Sequence, residues 1–359
     1  MGLKILIARR IILSVPVAIG VVTIIFLVLS AMTPIMRVAY YVGSSPARLR
    51  PDNIKRAIHD FGLDEPIWVQ YINWLKKIVL FDFGRSYAFE GEEGPPALSL
   101  ILASLPTTLE LLLYAAPFVM MFSIWFGTKA AFNQNKTLDY VARVFGTLGT
   151  SFPVFVVSGL FIMLSLSIQN PYHLYFVPIG TLDYAMQDDL VSRIAHGSFT
   201  VYTNMMSVDT LLNGDVTLFL NSIAHLVLPV AVLVFTQCAA LIRVTRSGLI
   251  EELGKPYVVS AMAKGLSKKD VLYKHARKNA SISVLTISGL LLSNMFISLV
   301  IVERVFERPG FASLLVSSAQ TMNTPVFLTC AMFVALFFVN LNLVVDILYE
   351  HIDPRIRLA

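Results

Sequence analysis

Charge is what this sequence has least of. Only 14% of its 359 residues are Asp, Glu, Lys or Arg, against 56% that are hydrophobic. A soluble domain carries about 25% charged and about 45–50% apolar residues. A chain this poor in charge cannot coat the surface of a soluble protein of its length, and a mean hydropathy of +0.71 agrees. Cysteine is nearly missing as well. Cys238 and Cys330 both stand inside long apolar runs, where free Cys serves as a small hydrophobe, so a disulfide framework or cysteine metal cluster is excluded. Glycine and proline, 19 and 17 in number, are too few for a collagen-like or low-complexity chain. The short catalytic signatures are absent too: no Walker-type glycine loop, no His-Glu-x-x-His, no Gly-x-Ser-x-Gly and no Cys-x-x-Cys. The six histidines, His59, His173, His196, His225, His275 and His351, are scattered. Nothing here equips the chain to hydrolyse a nucleotide by itself.

What is present is apolar sequence in long pieces. A hydrocarbon core of about 30 Å needs roughly 20 residues of helix. Six stretches qualify: Ile11 to Met32, Leu105 to Thr128, one within Val144 to Ile168, one within Ile223 to Ile242, Ile282 to Val302, and about Pro325 to Tyr349. Strands of a membrane barrel would be about ten residues long and alternate in polarity, which these do not. The expected fold is an all-α integral membrane protein with six transmembrane helices. The first run exceeds the 7–15 residues of a signal-peptide core and lacks a small-x-small exit, so it reads as a retained helix. Glu110 and Asp346, the acids within the runs, stand near run ends, where snorkelling is cheap.

Lys and Arg set the orientation. With the N-terminus inside, the inner segments hold seventeen of the 28 basic residues, and eight of the remainder lie in one long loop that counts little. Both termini are then cytoplasmic. The sequence divides into an N-terminal tail with the first helix (1–32), an extracellular loop domain (33–104) and a membrane core (105–359) containing a cytoplasmic loop (243–281). The 33–104 loop is too long for a simple connection. Helical spacing begins at Pro51, and again from Ile67 to Leu75 with aromatics that suit a membrane interface; Gly91 to Pro96 reads as a break.

Nine basic residues between Arg243 and Lys278 face only Glu251, Glu252 and Asp270, a net +6. Pro256 fits the first helical position and Gly265 the stop, which predicts a short helix rich in small residues. Ser267-Lys268-Lys269-Asp270 then predicts a capping box. A topology signal or an anionic-lipid patch would need no such ordered helices, so docking of a soluble partner is favoured. The same order gives no support for nucleic acid. Gln237, Asn294, Asn340 and Asn342 are polar positions within the spans. Interhelical hydrogen bonding is the simpler reading for them, and a place on a solute path the functional one.

Several separated motifs now carry a resemblance. Tyr257-Val258-Val259-Ser260-Ala261-Met262-Ala263-Lys264-Gly265-Leu266-Ser267, with His275-Ala276-Arg277-Lys278-Asn279-Ala280 after it, resembles the cytoplasmic signature of ABC-importer permeases, closest to the first permease of the oligopeptide/dipeptide/nickel branch. Leu3 to Pro16, Phe61 to Tyr71, Asp82 to Ser86, Leu105 to Leu111, Glu303 to Phe311 and Val345 to Arg357 are similar to that family's motifs in the same order. Two departures stand out: Val259-Ser260-Ala261 replaces the general Glu-Ala-Ala start, and Asn323 precedes Thr324-Pro325-Val326 where the family often has an acid. The resemblance implies a six-helix type I importer fold in the cell membrane, paired with a second homologous permease, two cytoplasmic ATPases and an extracellular solute-binding protein. It places ATP and Mg on the partner subunits and no cofactor on this chain. It also makes the Pro256 helix a coupling helix, with Tyr257, Ser260, Ala261, Ala263, Lys264, Gly265 and Leu266 at the ATPase contact. Peptides are the expected solute and oligosaccharides the alternative. A self-contained secondary transporter would show mirrored halves and mid-span ion ligands, and neither is visible.

Overall fold

The computed structural model describes residues 3–33, 35–38, 50–87, 93–169, 179–267, 270–271 and 276–352. In chain order its elements are α1 (Leu3–Ala31), α2 (Pro51–Asp60), α3 (Ile67–Val79), β1 (Arg85–Tyr87), β2 (Glu93–Pro96), α4 (Ala97–Phe132), α5 (Thr137–Ser151) and α6 (Val154–Gln169). They continue with α7 (Tyr184–Ala195), α8 (Met206–Leu212), α9 (Val216–Leu253), α10 (Pro256–Ala263), α11 (Arg277–Val305), α12 (Phe311–Gln320) and α13 (Thr324–Ile352). The chain is mostly helical, and every apolar run falls on helix. Among the described residues α4, α9 and the 324–341 part of α13 are long and apolar enough to cross a membrane, with α5 and α6 a fourth span if counted together. The 29-residue helices α1 and α11 cover the first and fifth runs.

Three expectations need correcting. The third run is not one straight helix. Phe152 stands before Pro153 with extended backbone (φ −87°, ψ 129°), as proline requires of its predecessor, and α5 and α6 meet there at 108°. The fold is not purely helical either: within the expected break, Glu93–Pro96 pairs antiparallel with Arg85–Tyr87. Third, Glu110 does not snorkel to water. α4 starts at Ala97, so Glu110 lies about 20 Å along it, fully buried.

By its internal contacts the chain forms two units. One comprises 1–107 with 309–343, and the other 108–308 with 344–359. In the first, α1 packs on α3 through Phe26, which meets Tyr71 edge-on at 5.2 Å and Trp74 at 5.6 Å. The Asp82-to-Ser86 motif meets the start of α13: Asn323 Nδ2 donates to Ser86 Oγ at 2.7 Å, and the Phe83 and Phe333 rings stand 6.0 Å apart.

In the second unit α9 is the axis on which α5, α6, α8 and α11 pack. Its first turn is capped by Asp215, whose carboxylate accepts from Leu218 N at 2.9 Å and from Arg193 at 2.8 Å. These two donors hold Asp215 below the usual carboxylate range. Before the cap, Leu182, Leu190, Phe199 and Leu218 close a small core, and buried Asp209 accepts from the backbone N–H groups of Tyr202, Thr203 and Asn204. Residues 179–215 thus form an ordered cap before α9.

Glu110 joins the parts of this unit. Its Oε1 accepts from Ser207 N at 2.8 Å and Ser207 Oγ at 2.6 Å, and its Oε2 from Arg308 Nη2 at 2.7 Å. Arg308 also donates to Gly180 O, and Gly180 N donates to Phe306 O. Two residues before Glu110, Thr108 donates its hydroxyl to buried Glu303. Burial pulls the Arg308 guanidinium below its ordinary range, and Glu110 and Glu303 push it back up.

Close helix contact depends on two glycines. A Cβ on Gly149 would lie 2.5 Å from Ala239 Cβ, and one on Gly127 2.7 Å from Thr245 Cβ. Gly159, also in a helix, has nothing within 4 Å. Gly149→Ala and Gly127→Ala are therefore expected to lower the thermal midpoint of the purified protein, because overpacking costs about 1–3 kcal/mol and exceeds the gain of about 1 kcal/mol in helix propensity. Gly159→Ala gains propensity alone and should hold or raise the midpoint. Arg308→Leu strands the Glu110 carboxylate in a dry interior, at a cost of about 3–5 kcal/mol. Adding Glu110→Gln should recover much of that loss in the same melting experiment.

Candidate docking helix and polar residues of the spans

The sequence around Pro256 folds as its residue types dictate. Lys255 is extended (ψ 149°) and Pro256 opens α10 at its first position. The helix closes on paired reverse bonds, Gly265 N to Met262 O at 2.9 Å and Leu266 N to Ala261 O at 3.3 Å. That closure demands a left-handed residue, and Gly265 supplies it at φ +87°. Beyond the turn Asp270 N donates to Ser267 Oγ at 3.1 Å, and the Ser267 hydroxyl donates to Asp270 Oδ2 at 2.6 Å. The first bond is one half of the expected capping box; the second comes from the Ser267 hydroxyl and not from its backbone N–H. Residues 268–269 and 272–275, including His275, lie outside the described residues.

α10 is tied down on one side and bare on the other. Val258 is fully buried, while Glu252 at the end of α9 accepts from Tyr257 Oη at 2.7 Å and pairs with Lys255, raising the Lys255 ammonium above its ordinary range. Ser260 spends its hydroxyl on Pro256 O. Ala261 is half-buried; Ala263, Lys264, Gly265 and Leu266 are exposed. The expected contact set of Tyr257, Ser260, Ala261, Ala263, Lys264, Gly265 and Leu266 leaves out Val259 and Met262, which with Leu266 form an exposed apolar strip. Their signal was an apolar pair three residues apart inside a strongly basic segment.

Part of that basic charge is structural. Arg243 donates to Gly146 O and Thr150 Oγ1, and Arg246 grips buried Asp139 through two nitrogens. Arg143 binds the same carboxylate at 2.8 Å. With Lys255 held by Glu252, Arg243, Arg246 and Lys255 are the cations of this segment seen, among the described residues, to hold the chain's own elements together. Lys264 is exposed at the end of α10.

The polar span residues have separate surroundings. Gln237 is buried and donates to Ser298 Oγ at 3.0 Å, joining α9 to α11, and Ser298 donates in turn to Asn294 O. Asn294 is exposed. Asn340 is exposed with its amide on Leu336 O, within its own helix. The side chain of Asn342 lies outside the described residues. Among the described residues His, Cys, Asp and Glu side chains do not gather in threes as a metal site requires.

Known proteins match along the whole length. The profile of the family described as "Binding-protein-dependent transport system inner membrane component" matches residues 119–358, and that of its N-terminal region matches 3–124. The oligopeptide transport system permease protein AppB of Bacillus subtilis is 32% identical over 98% of both chains. The di/tripeptide transport system permease protein DppB of Pseudomonas aeruginosa is 32% identical, and the dipeptide transport system permease protein DppB of Escherichia coli 30%, each over 98% of both chains. With several apolar helices and a match that runs from residue 3 to residue 358, the chain is a multi-pass membrane protein and belongs to the family of binding-protein-dependent transport system inner membrane components, the permeases of ABC transporters.

Proposed function

We propose that this chain is one of two permease subunits of an ATP-driven importer of oligopeptides or dipeptides. In this reading six helices cross the membrane in the type I importer arrangement with both termini cytoplasmic. The 33–104 segment faces outward, and a binding protein delivers the solute there. A second, homologous permease completes the path, and ATP and Mg are held by two cytoplasmic ATPases. The peptide class is supported by the names of relatives similar over nearly their whole length.

The observation that carries the coupling role is α10 itself. A helix fixed at one face by Val258 and the Tyr257–Glu252 bond offers Val259, Met262 and Leu266 outward. Such a strip, with Lys264 at its end, suits insertion into an apolar groove of a soluble partner, where a few buried anchors carry most of the affinity. Polar span residues such as Gln237, Asn294 and Asn340 are the candidates for the solute path. Peptide-stimulated ATP hydrolysis by the reconstituted four-subunit complex with its binding protein tests the reading. Uptake by this chain alone, driven by an ion gradient, would refute it.

Val259→Asp or Met262→Asp should weaken ATPase capture by about 2 kcal/mol or more, roughly thirtyfold, with membrane insertion unchanged in a co-purification assay. Gly265→Pro, which cannot take a positive φ, should do the same, whereas Gly265→Asn, which can, should retain the partner. Equal capture by all four variants would remove α10 from the interface.

A further inference from the structure

Among the described residues of the 33–104 segment, most of the large exposed apolar side chains lie on α3 or just past its end; α3 is a helix with three distinct faces. The first, Tyr71 and Trp74, packs on Phe26 of α1, and Tyr71 Oη hydrogen-bonds Thr23 Oγ1 at 2.8 Å. The second is Trp68, Ile72, Leu75 and Val79, spaced i, i+4, i+7, i+11 as one helical stripe requires. Trp68, Ile72 and Val79 are 64%, 45% and 69% exposed, and Leu80 and Phe81 continue the surface past the helix end. The third, Gln70, Asn73 and Lys77 with Lys76 beside them, is polar and lies well round the helix from the stripe; Gln70 donates to Leu63 O and Glu65 O and accepts from Arg37, and Lys77 stands over the Phe61 ring.

Depth decides what the stripe meets. Thr23 lies eight residues before the end of α1 at Ala31, about 12 Å along the helix. α1 is the first apolar run, uncharged from Ile11 to Met32, so the Tyr71 contact lies beneath the headgroups at that end of the span. In the same turns of α1, Ile24, Leu27 and Val28 are about as exposed as the stripe. At 13 residues α3 is too short to cross a bilayer.

We propose that α3 is a membrane-inserted interfacial helix. It lies along the bilayer with the Trp68–Ile72–Val79 stripe in the acyl chains, its polar face away from them, and Lys76 reaching the phosphates. The leaflet is the one at the Ala31 end of α1, the outer one in the orientation proposed above. The surface is thereby continuous with the lipid-facing side of α1. A segment set among extracellular loops is a second, lateral membrane anchor. The inference requires only that α1 spans the membrane, and stands or falls separately from the importer reading.

The test uses the full-length chain, reconstituted alone and with its co-purifying subunits in phosphatidylcholine vesicles. The chain has three tryptophans, and Trp74→Phe with Trp125→Phe leaves Trp68 as the sole emitter. Vesicles of lipid brominated along the acyl chains should lower Trp68 emission relative to unbrominated vesicles, read in both preparations as the difference from a control that also carries Trp68→Phe, and aqueous acrylamide should quench it weakly. Strong acrylamide quenching without a bromine effect would overturn the proposal in favour of a water-exposed helix. Protection from both quenchers in the assembled preparation would overturn it in favour of a partner subunit. Should the double variant fold poorly, Ile72→Cys in the otherwise unaltered chain offers a second readout, since Cys238 and Cys330 are buried. A nitroxide there should collide more with oxygen than with a water-soluble nickel chelate. The reverse order would sink the idea.

Discussion

A carboxylate and a guanidinium closed off from water govern the 108–308 unit. Glu110 and Arg308 are both about 1% exposed, 2.7 Å apart, in a protein whose surroundings are largely hydrocarbon. Removing two ions from water costs several kcal/mol each, and attraction offsets this only when the remaining donors and acceptors are also met. Here they largely are: Ser207 gives Glu110 two hydrogen bonds, Gly180 accepts from Arg308, and Thr108 serves Glu303. The price of leaving any partner out forces α4, the end of α11, the start of α8 and the turn at Gly180 into one arrangement. Apolar packing between helices in lipid is weakly specific; this cluster fixes register as a greasy seam cannot.

The same cluster explains why separated motifs travel together along the chain. Leu105 to Leu111 contributes Thr108 and Glu110, and Glu303 to Phe311 contributes Glu303 and Arg308. In the other unit, Asp82 to Ser86 contributes Phe83 and Ser86 to contacts with Phe333 and Asn323. Each motif is half of a contact. A linear reading sees the halves and cannot see that they touch, because nothing in residue spacing encodes a pairing across some two hundred positions.

What was legible was local. Apolar runs marked the helices, because hydrocarbon demands length and hydropathy. Pro256 and Gly265 marked the ends of α10, because one lacks an N–H and the other tolerates a positive φ. What stayed hidden was tertiary. The bend at Pro153 lies in a run whose hydropathy is continuous across it. Glu110 looked peripheral because α4 begins eight residues before the apolar run does. The basic segment read as one surface, whereas Asp139, distant in sequence and buried, claims Arg246. At the polar span positions, sequence could say that Gln237 needed a partner but not that the partner is Ser298.

α9 runs unbroken for 38 residues, about 57 Å, nearly twice the thickness of the hydrocarbon it crosses. Its far end is joined to α10 through Glu252, Lys255 and Tyr257 without an intervening flexible stretch, since Gly254 and Lys255 are its only connection. Such a rod acts as a gear ratio. A tilt of about 10° about one end sweeps the other through about 10 Å, so a displacement smaller than one helix diameter at α10 suffices to reorient the whole membrane-crossing length. The short tether, more than any property of α10 alone, ties the position of α10 to the tilt of α9.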